Sequence, residues 1–394
     1  MRKNLLSITL GILLALICTS PSNAQIKGNP VLKATTVQQL ASPKISSRLS
    51  PDLKKLYDNS TLNAQKAISG LSKTIPNNDA LNKYMQIKGD RVVVDITAKT
   101  DVNAAKTELQ KIGLEVKAVY GRVISGIIPI SALPQLEAAT SVKFARPAYK
   151  PMHLSNSASA MQFNFGGGGN KITPVISQGD TAQRSYIARK KYHVNGKGVK
   201  IGILSDSYNS LGIADVGVSR GELPGPTNPF GFKKPVQVLE DLDGFGFDEG
   251  RAMAEIVHDV APGSEIAFHT ADLGQADFAQ GIQDLADVGC KVINDDALYF
   301  AEPFFQDGII AQSVDQVKKR GVTYFSAAGN QSIRSYESDY RPSTFEPFGD
   351  GFGTAQNFSA PTYPPVYFQP IYIPSGGSVV ATFQWDQSSL VQVV

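Results

Sequence analysis

The sequence predicts an α/β protein: a parallel sheet covered by helices on both faces, preceded by a small α+β ferredoxin-like domain and followed by an incomplete β-rich segment. Three observations predict this. Apolar strand-length runs alternate with amphipathic helical patterns from about Gln178 onward, the signature of crossover units and a parallel sheet. A βαββαβ pattern occupies about 81–150. Beyond Asn330 the helical periodicity stops, and Pro, Gly and aromatic residues take over.

The βαββαβ pattern reads element by element. RVVVDITA (Arg91 to Ala98) is a strand, and VNAAKTELQKIG (Val102 to Gly113) is an amphipathic helix closed by glycine. LEVKAVYGRVISGIIP is a hairpin-like strand pair, SALPQLEAAT a short helix and SVKFARPA a last strand, together a split-βαβ domain. Residues 25–80 form a polar segment with one helix near Pro51 to Leu71. Residues 151–177 contain NSASAMQFNFGGGGNKITP, a Ser-, Asn- and Gly-rich linker open to proteolytic nicking.

In 178–335, VKIGIL (Val199 to Leu204), VQVL, EIAFH, CKVIN and VTYFSA read as buried strands. Helices fall near Asp248 to Asp259, Gln275 to Asp287 and Gly308 to Arg320. The remainder, 336–394, reads as a β-structured insert or appended domain without a closing element.

Bulk properties narrow the function. A chain of 394 residues with 42% hydrophobic and 19% charged residues is globular. The net charge is +3, with Arg2 and Lys3 contributing two of these charges, so no basic field points to nucleic acid. The N-terminus MRKNLLSITLGILLALICTSPSNAQ has a basic start, an apolar run and a small-x-small ending at Ser22 and Ala24. It reads as a signal peptide, residues 1–24, cleaved before Gln25, so the mature protein is expected to be exported without stable membrane insertion. Cys18 leaves with it. Cys290 then stands alone, with no internal disulfide, as a buried thiol.

Strand ends deliver polar groups to the edge where parallel sheets form their sites. VKIGILSDS delivers Asp206, CKVINDDAL delivers Asp295 and Asp296, and VTYFSAAGN delivers Asn330. Glu249 heads the helix in FDEGRAMAEIVHDVAPGSEI, where Asp248 is the expected N-cap. His258 lies nine positions later, about 180° round the helix. Met253, Ile256, Val257 and Val260 form the expected inward stripe, with Glu249 at its N-terminal end and His258 near the last carbonyls. EDLDGFGFDEG holds Asp241, Asp243 and Asp248 without EF-hand spacing. No metal ligands or cofactors are assigned, and nothing fixes a calcium site.

In their order, IGILSDS, DEGRAM…HDVAPG, VIND and SAAGN resemble the motifs of the subtilisin-like serine peptidases, over about Arg91 to Asn330. The resemblance implies a secreted endopeptidase precursor acting on polypeptide, with its own propeptide domain as intramolecular inhibitor, and a monomer. It implies that Asp206 is the triad acid and Asn330 the oxyanion donor. Asp295 and Asp296 are assigned to the substrate cleft, and Asp296 is a second candidate partner for Glu249. Glu249 stands where the family keeps its histidine base. Sedolisins, acid-active relatives, put Glu there, but pair it with Asp four residues later and use Asp at the oxyanion position. This chain has Met253 and Asn330 at those places. The family's Gly-Thr-Ser motif is absent from the sequence; the nearest string, GFGTAQ, has Ala355 at the serine position. The serine is therefore expected outside this chain, the alternative being an inactive, peptide-binding pseudopeptidase.

Overall fold

The computed structural model describes residues 47–68, 84–151, 175–242, 244, 246–330 and, with short breaks, 335–386. The signal peptide and most of the linker expected above lie outside these residues. The described residues of 47–330 with 381–386 form one compact unit, and those of 335–380 belong to a second.

The first unit begins with helix α1 (Pro51–Ile68) and strands β1 (Ile87–Lys88) and β2 (Arg91–Ala98). Helix α2 (Val102–Lys111), strands β3 (Glu115–Tyr120) and β4 (Val123–Pro129), helix α3 (Leu133–Ala138) and strand β5 (Val142–Pro147) follow. Strand β2 pairs antiparallel with β4 on one side and with β5 and β1 on the other, and β4 pairs with β3. This is the split-βαβ arrangement. Alternation along β2 and β4 sends Val92, Val94, Ile96, Ile124 and Ile128 into a core shared with Leu109, Leu133 and Leu136 of the helices. Leu53 and Leu56 of α1 enter the same core, so the polar N-terminal segment contributes a helix to this domain.

Next come α4 (Gln178–Gln183), α5 (Ser185–Tyr192), β6 (Lys200–Ser205), α6 (Ala214–Arg220), β7 (Gln237–Glu240) and α7 (Glu249–Val260). They lead to β8 (Glu265–Thr270), α8 (Gln275–Asp287), β9 (Val292–Asp295), α9 (Ile309–Lys319) and β10 (Thr323–Ser326). Five parallel strands run in the order β10-β9-β6-β8-β7. Leu204, Ile293 and Val322 pack with α8 and α9 on one face, while Ile203, Ile266 and Phe268 pack with Ala254 of α7 on the other. The expected cover on both faces holds over the centre of the sheet. At the β10 edge Phe325 is 59% exposed; it is in register with Asn294 and Ile203, on the α7 side. No helix among the described residues is long and apolar enough to cross a membrane.

Two expectations are corrected. Of the expected stripe on α7, Met253 and Val257 pack partly buried against the core, but Ile256 is 45% exposed and the fully buried line is Gly250, Arg251, Ala254 and His258. Small residues, Gly250 and Ala254, let the helix approach the sheet. Gly250 shows the requirement: a Cβ there would lie 2.3 Å from the Phe268 ring and 2.8 Å from the Ser207 carbonyl oxygen. The second correction concerns the segment expected to be β-rich. Its described residues hold an isolated antiparallel bridge, Pro342 with Gln356, and no named strand. They are organised by ring pairs, Tyr336 with Phe358 and Phe345 with Tyr367.

The two domains of the first unit meet at the N-terminus of α8. Asp95 of β2 accepts from Ser125 Oγ at 2.6 Å and from the Gln275 N–H at 3.1 Å, and Ser125 Oγ accepts from the Ala276 N–H at 3.0 Å. The small domain therefore supplies the acceptors that the first turn of α8 lacks. Gly274, at φ +109°, permits the approach: a Cβ there would lie 2.5 Å from Ser125 Oγ and 2.7 Å from Asp95 Oδ1.

Candidate active site at the sheet edge

The C-terminal edge of the parallel sheet is organised around Asp206, which leaves β6, the central strand. Its carboxylate is 3% exposed and sits under the first turn of α7. Oδ1 accepts from the Glu249 N–H at 2.8 Å and the Gly250 N–H at 3.3 Å, while Oδ2 accepts from the Phe247 N–H. Thr270 Oγ1, at the end of β8, donates to the Asp206 carbonyl at 2.6 Å. Asp206 thus caps α7 from another strand and fixes where Glu249 stands.

Asp248 does not cap α7 with its own side chain, contrary to expectation. It adopts a left-handed conformation at φ 59°, costly for a residue with a Cβ. Its carboxylate accepts from Ser207 Oγ at 2.9 Å, Ser210 N–H at 2.7 Å and Leu211 N–H at 3.2 Å, and it pairs with buried Arg251 at 3.3 Å. These bonds hold the strained residue in place, and Asp206 takes over the capping role it gives up. Asp241 is a loop organiser, accepting from the N–H groups of Tyr208, Asn209 and Leu242 at 2.8–2.9 Å. Asp243 lies outside the described residues.

The remaining candidates distribute as follows. Glu249 is half-buried at the head of α7. Asn330 is exposed just beyond β10. Asp295 and Asp296 are each 6% exposed. The Asp295 carboxylate accepts from Ser326 Oγ at 2.9 Å and shares the face of β9 on which Ile293 packs against α8 and α9. The structure thus brings Asp206 and Glu249 together and turns Asp295 toward the sheet's interior. Burial raises the Asp295 pKa to about 6, against the hydrogen bond from Ser326.

A carboxyl whose folded pKa lies above its unfolded value stabilises the native state fully below that unfolded value and loses the contribution as pH rises through the folded pKa. For Asp295 the loss by pH 8 is about 3 kcal/mol. Asp295→Asn keeps an oxygen for Ser326 and should be more stable than the wild type at pH 8 by up to that amount. At acid pH the difference should vanish. Urea denaturation at both pH values measures it.

The histidines do not replace Glu249. His258 is 3% exposed, packs edge-on against Phe232 at 5.0 Å, and burial lowers its pKa to about 4. It is a neutral core residue in the last turn of α7, at the helix end as expected, but it faces inward, not away from the core. His269 is buried in β8 among Glu240, Asp277 and Asp284, His193 is exposed, and His153 lies outside the described residues. Ser207 and Thr270 are not among the residues that the sequence motifs single out. Their signal was present only as small or hydroxyl residues beside the motifs.

An open parallel α/β sheet with a carboxylate-rich C-terminal edge is the class that the fold and site define. No protein-family model matches the chain, and no curated protein matches it. Among solved structures it is similar to fervidolysin from Fervidobacterium pennivorans, a keratinolytic enzyme related to subtilisin. Identity is 14% and the TM-score 0.32, with 62% of this chain and 41% of that chain covered. It is also similar to the epidermin leader peptide processing serine protease of Staphylococcus aureus, at 14% identity and TM-score 0.34, covering 64% of this chain and 65% of that one. A serine-to-alanine mutant of that protease gives 14% identity and TM-score 0.36, with 63% and 66% covered. The chain spans less than two thirds of each of these proteins.

Proposed function

We propose that this chain is part of a secreted, serine-type endopeptidase precursor of the subtilisin-like kind, in which Glu249 is the general base. The observation that carries the proposal is the Asp206 carboxylate under α7. Its oxygens accept from the N–H groups of Phe247, Glu249 and Gly250, which supports Asp206 as a positioner with Glu249 as the proposed proton acceptor. A carboxylate is a weaker base than imidazole, and it serves best in mildly acidic solution. Asn330, exposed past β10, is the proposed oxyanion donor, and loss of such a donor costs on the order of 3 kcal/mol of transition-state stabilisation.

The small domain is the proposed inhibitor. Its Asp95 and Ser125 bonds to α8 support that role, because they tie it to the catalytic core through a helix end that it must cap. The nucleophile is proposed to come from sequence outside this chain, as no Gly-Thr-Ser is present in it. That same fact favours a second reading, a peptide-binding protein without hydrolysis. The experiment is to express the coding sequence with the region that follows it and to assay peptide hydrolysis for wild type and Glu249→Gln. Removal of the general base should lower kcat/KM by about 100-fold or more. Peptide binding without any turnover in the wild type would favour the second reading.

A further inference from the structure

A second polar cluster lies away from the α7 site, where β7, β8 and α8 meet the small domain. Glu240, His269 and Asp277 each direct a ligand atom into one space, and the three atoms lie within 4.8 Å of one another. Asp277 is 1% exposed, and its Oδ2 has no hydrogen-bond partner. An unpartnered buried carboxylate oxygen costs stability unless a cation or proton satisfies it.

His269 is set up as a ligand. Its Nδ1 lies 2.7 Å from the Thr270 carbonyl oxygen, which can only accept, so Nδ1 donates there and Nε2 is the nitrogen that faces the carboxylates. That is the arrangement by which ligating histidines are oriented through the nitrogen that does not bind metal. Nε2 stands 4.0 Å from Glu240 Oε2 and 4.0 Å from Asp284 Oδ2, too far for hydrogen bonds. The ring is held by the backbone of α8: a Cβ on Gly281 would lie 2.6 Å from His269 Nδ1.

The cation already facing this cluster is Lys117 of β3, in the small domain. Its Nζ lies 3.4 Å from Glu240 Oε1 and 3.1 Å from Glu115 Oε1. One ammonium shared with Glu115 does not balance Glu240, Asp277 and Asp284 together.

We propose that Glu240, His269 and Asp277 form a site for one divalent transition-metal ion, of zinc type, at the junction of the two domains, and that Lys117 competes with the ion for Glu240. One imidazole and two carboxylates suit zinc better than calcium, which takes oxygen ligands. The site is independent of the peptidase reading: it shares no residue with the Asp206–Glu249 pair, and its test needs no turnover.

The test is calorimetric titration of the full chain, freed of metal by chelation, with zinc and in parallel with calcium. One zinc equivalent should bind, with calcium giving no comparable heat. Glu240→Gln and Asp277→Asn should each weaken binding by about tenfold or more, and Lys117→Met should strengthen it. Asp277→Asn removes a buried charge, so it should fold. Glu240→Gln changes a partly exposed side chain and provides a second variant. Absence of saturable zinc binding, or binding that survives both carboxylate substitutions unchanged, would overturn the proposal.

Discussion

Asp206→Asn should destabilise the protein by about 3 kcal/mol, the scale expected when charge-assisted hydrogen bonds are lost and buried donors are left unpaired. The carboxylate offers acceptor oxygens to both sides of its site: Oδ1 takes the Glu249 and Gly250 N–H groups and Oδ2 the Phe247 N–H. An amide has one acceptor and one donor. Whichever way it is turned, its NH₂ group faces a backbone N–H, and one side of the cap is lost. The helix cannot fall back on its own N-cap, because the Asp248 side chain is committed to Ser207, Ser210, Leu211 and Arg251. The favourable interaction of the carboxylate with the helix dipole also weakens. Asp215→Asn is the natural comparison. Asp215 is likewise an acid in a first helical turn, that of α6, but it is exposed. Its substitution should change stability by about 0.5 kcal/mol or less. Urea midpoints of the two variants at neutral pH measure the difference. A loss below about 1 kcal/mol for Asp206→Asn would mean that the cap is not strongly coupled to the fold.

Acidification should destabilise the wild type through His258 by about 3 kcal/mol between neutrality and pH 4. The imidazole is buried against Phe232 at the C-terminal end of α7, and burial lowers its pKa to about 4. Between the unfolded value of about 6.5 and the folded value of about 4, the unfolded chain binds the proton and the native protein does not. The stabilising contribution is therefore complete above the unfolded pKa. It shrinks as pH falls through this window and is gone below the folded pKa. Asp295, Glu255 and Glu302, all raised by burial, act with the opposite sign, so the net acid limb is shallower than His258 alone would give. His258→Phe isolates the contribution. Subtracting its pH–stability curve from that of the wild type should leave a step of about 3 kcal/mol between pH 6.5 and 4. A flat difference curve would place the imidazole in contact with water. The proposed carboxylate base would favour mild acid, and His258 sets how far the fold can follow it there.

The alternation of strands and helices was legible because the core writes its period into the sequence. The helix expected at Gln275 to Asp287 is observed with those bounds, and the strand expected at Val199 to Leu204 is observed as Lys200–Ser205. The small domain's βαββαβ order was legible for the same reason. The inward face of α7 was not. Gly250 and Ala254 define it by being small, and smallness carries no hydrophobic signal. The cap by Asp206 was also hidden, since Asp248 occupies the position where a local cap belongs and only the backbone turn at φ 59° shows that it has been diverted. Asp95 and Ser125 meet α8 across separations of 180 and 151 residues, and no local pattern records such a contact. The Glu240–His269–Asp277 cluster draws on β7, β8 and α8 and becomes visible only when the sheet order is known.

The central claim is that Glu249, placed by Asp206, is a carboxylate base. The pH dependence of kcat/KM for peptide hydrolysis tests it most directly, measured on the product of the coding sequence together with the region that follows it. The account predicts a maximum in mildly acidic solution and a loss of about 100-fold or more in Glu249→Gln. A maximum well above neutrality, or activity that survives Glu249→Gln, would contradict it.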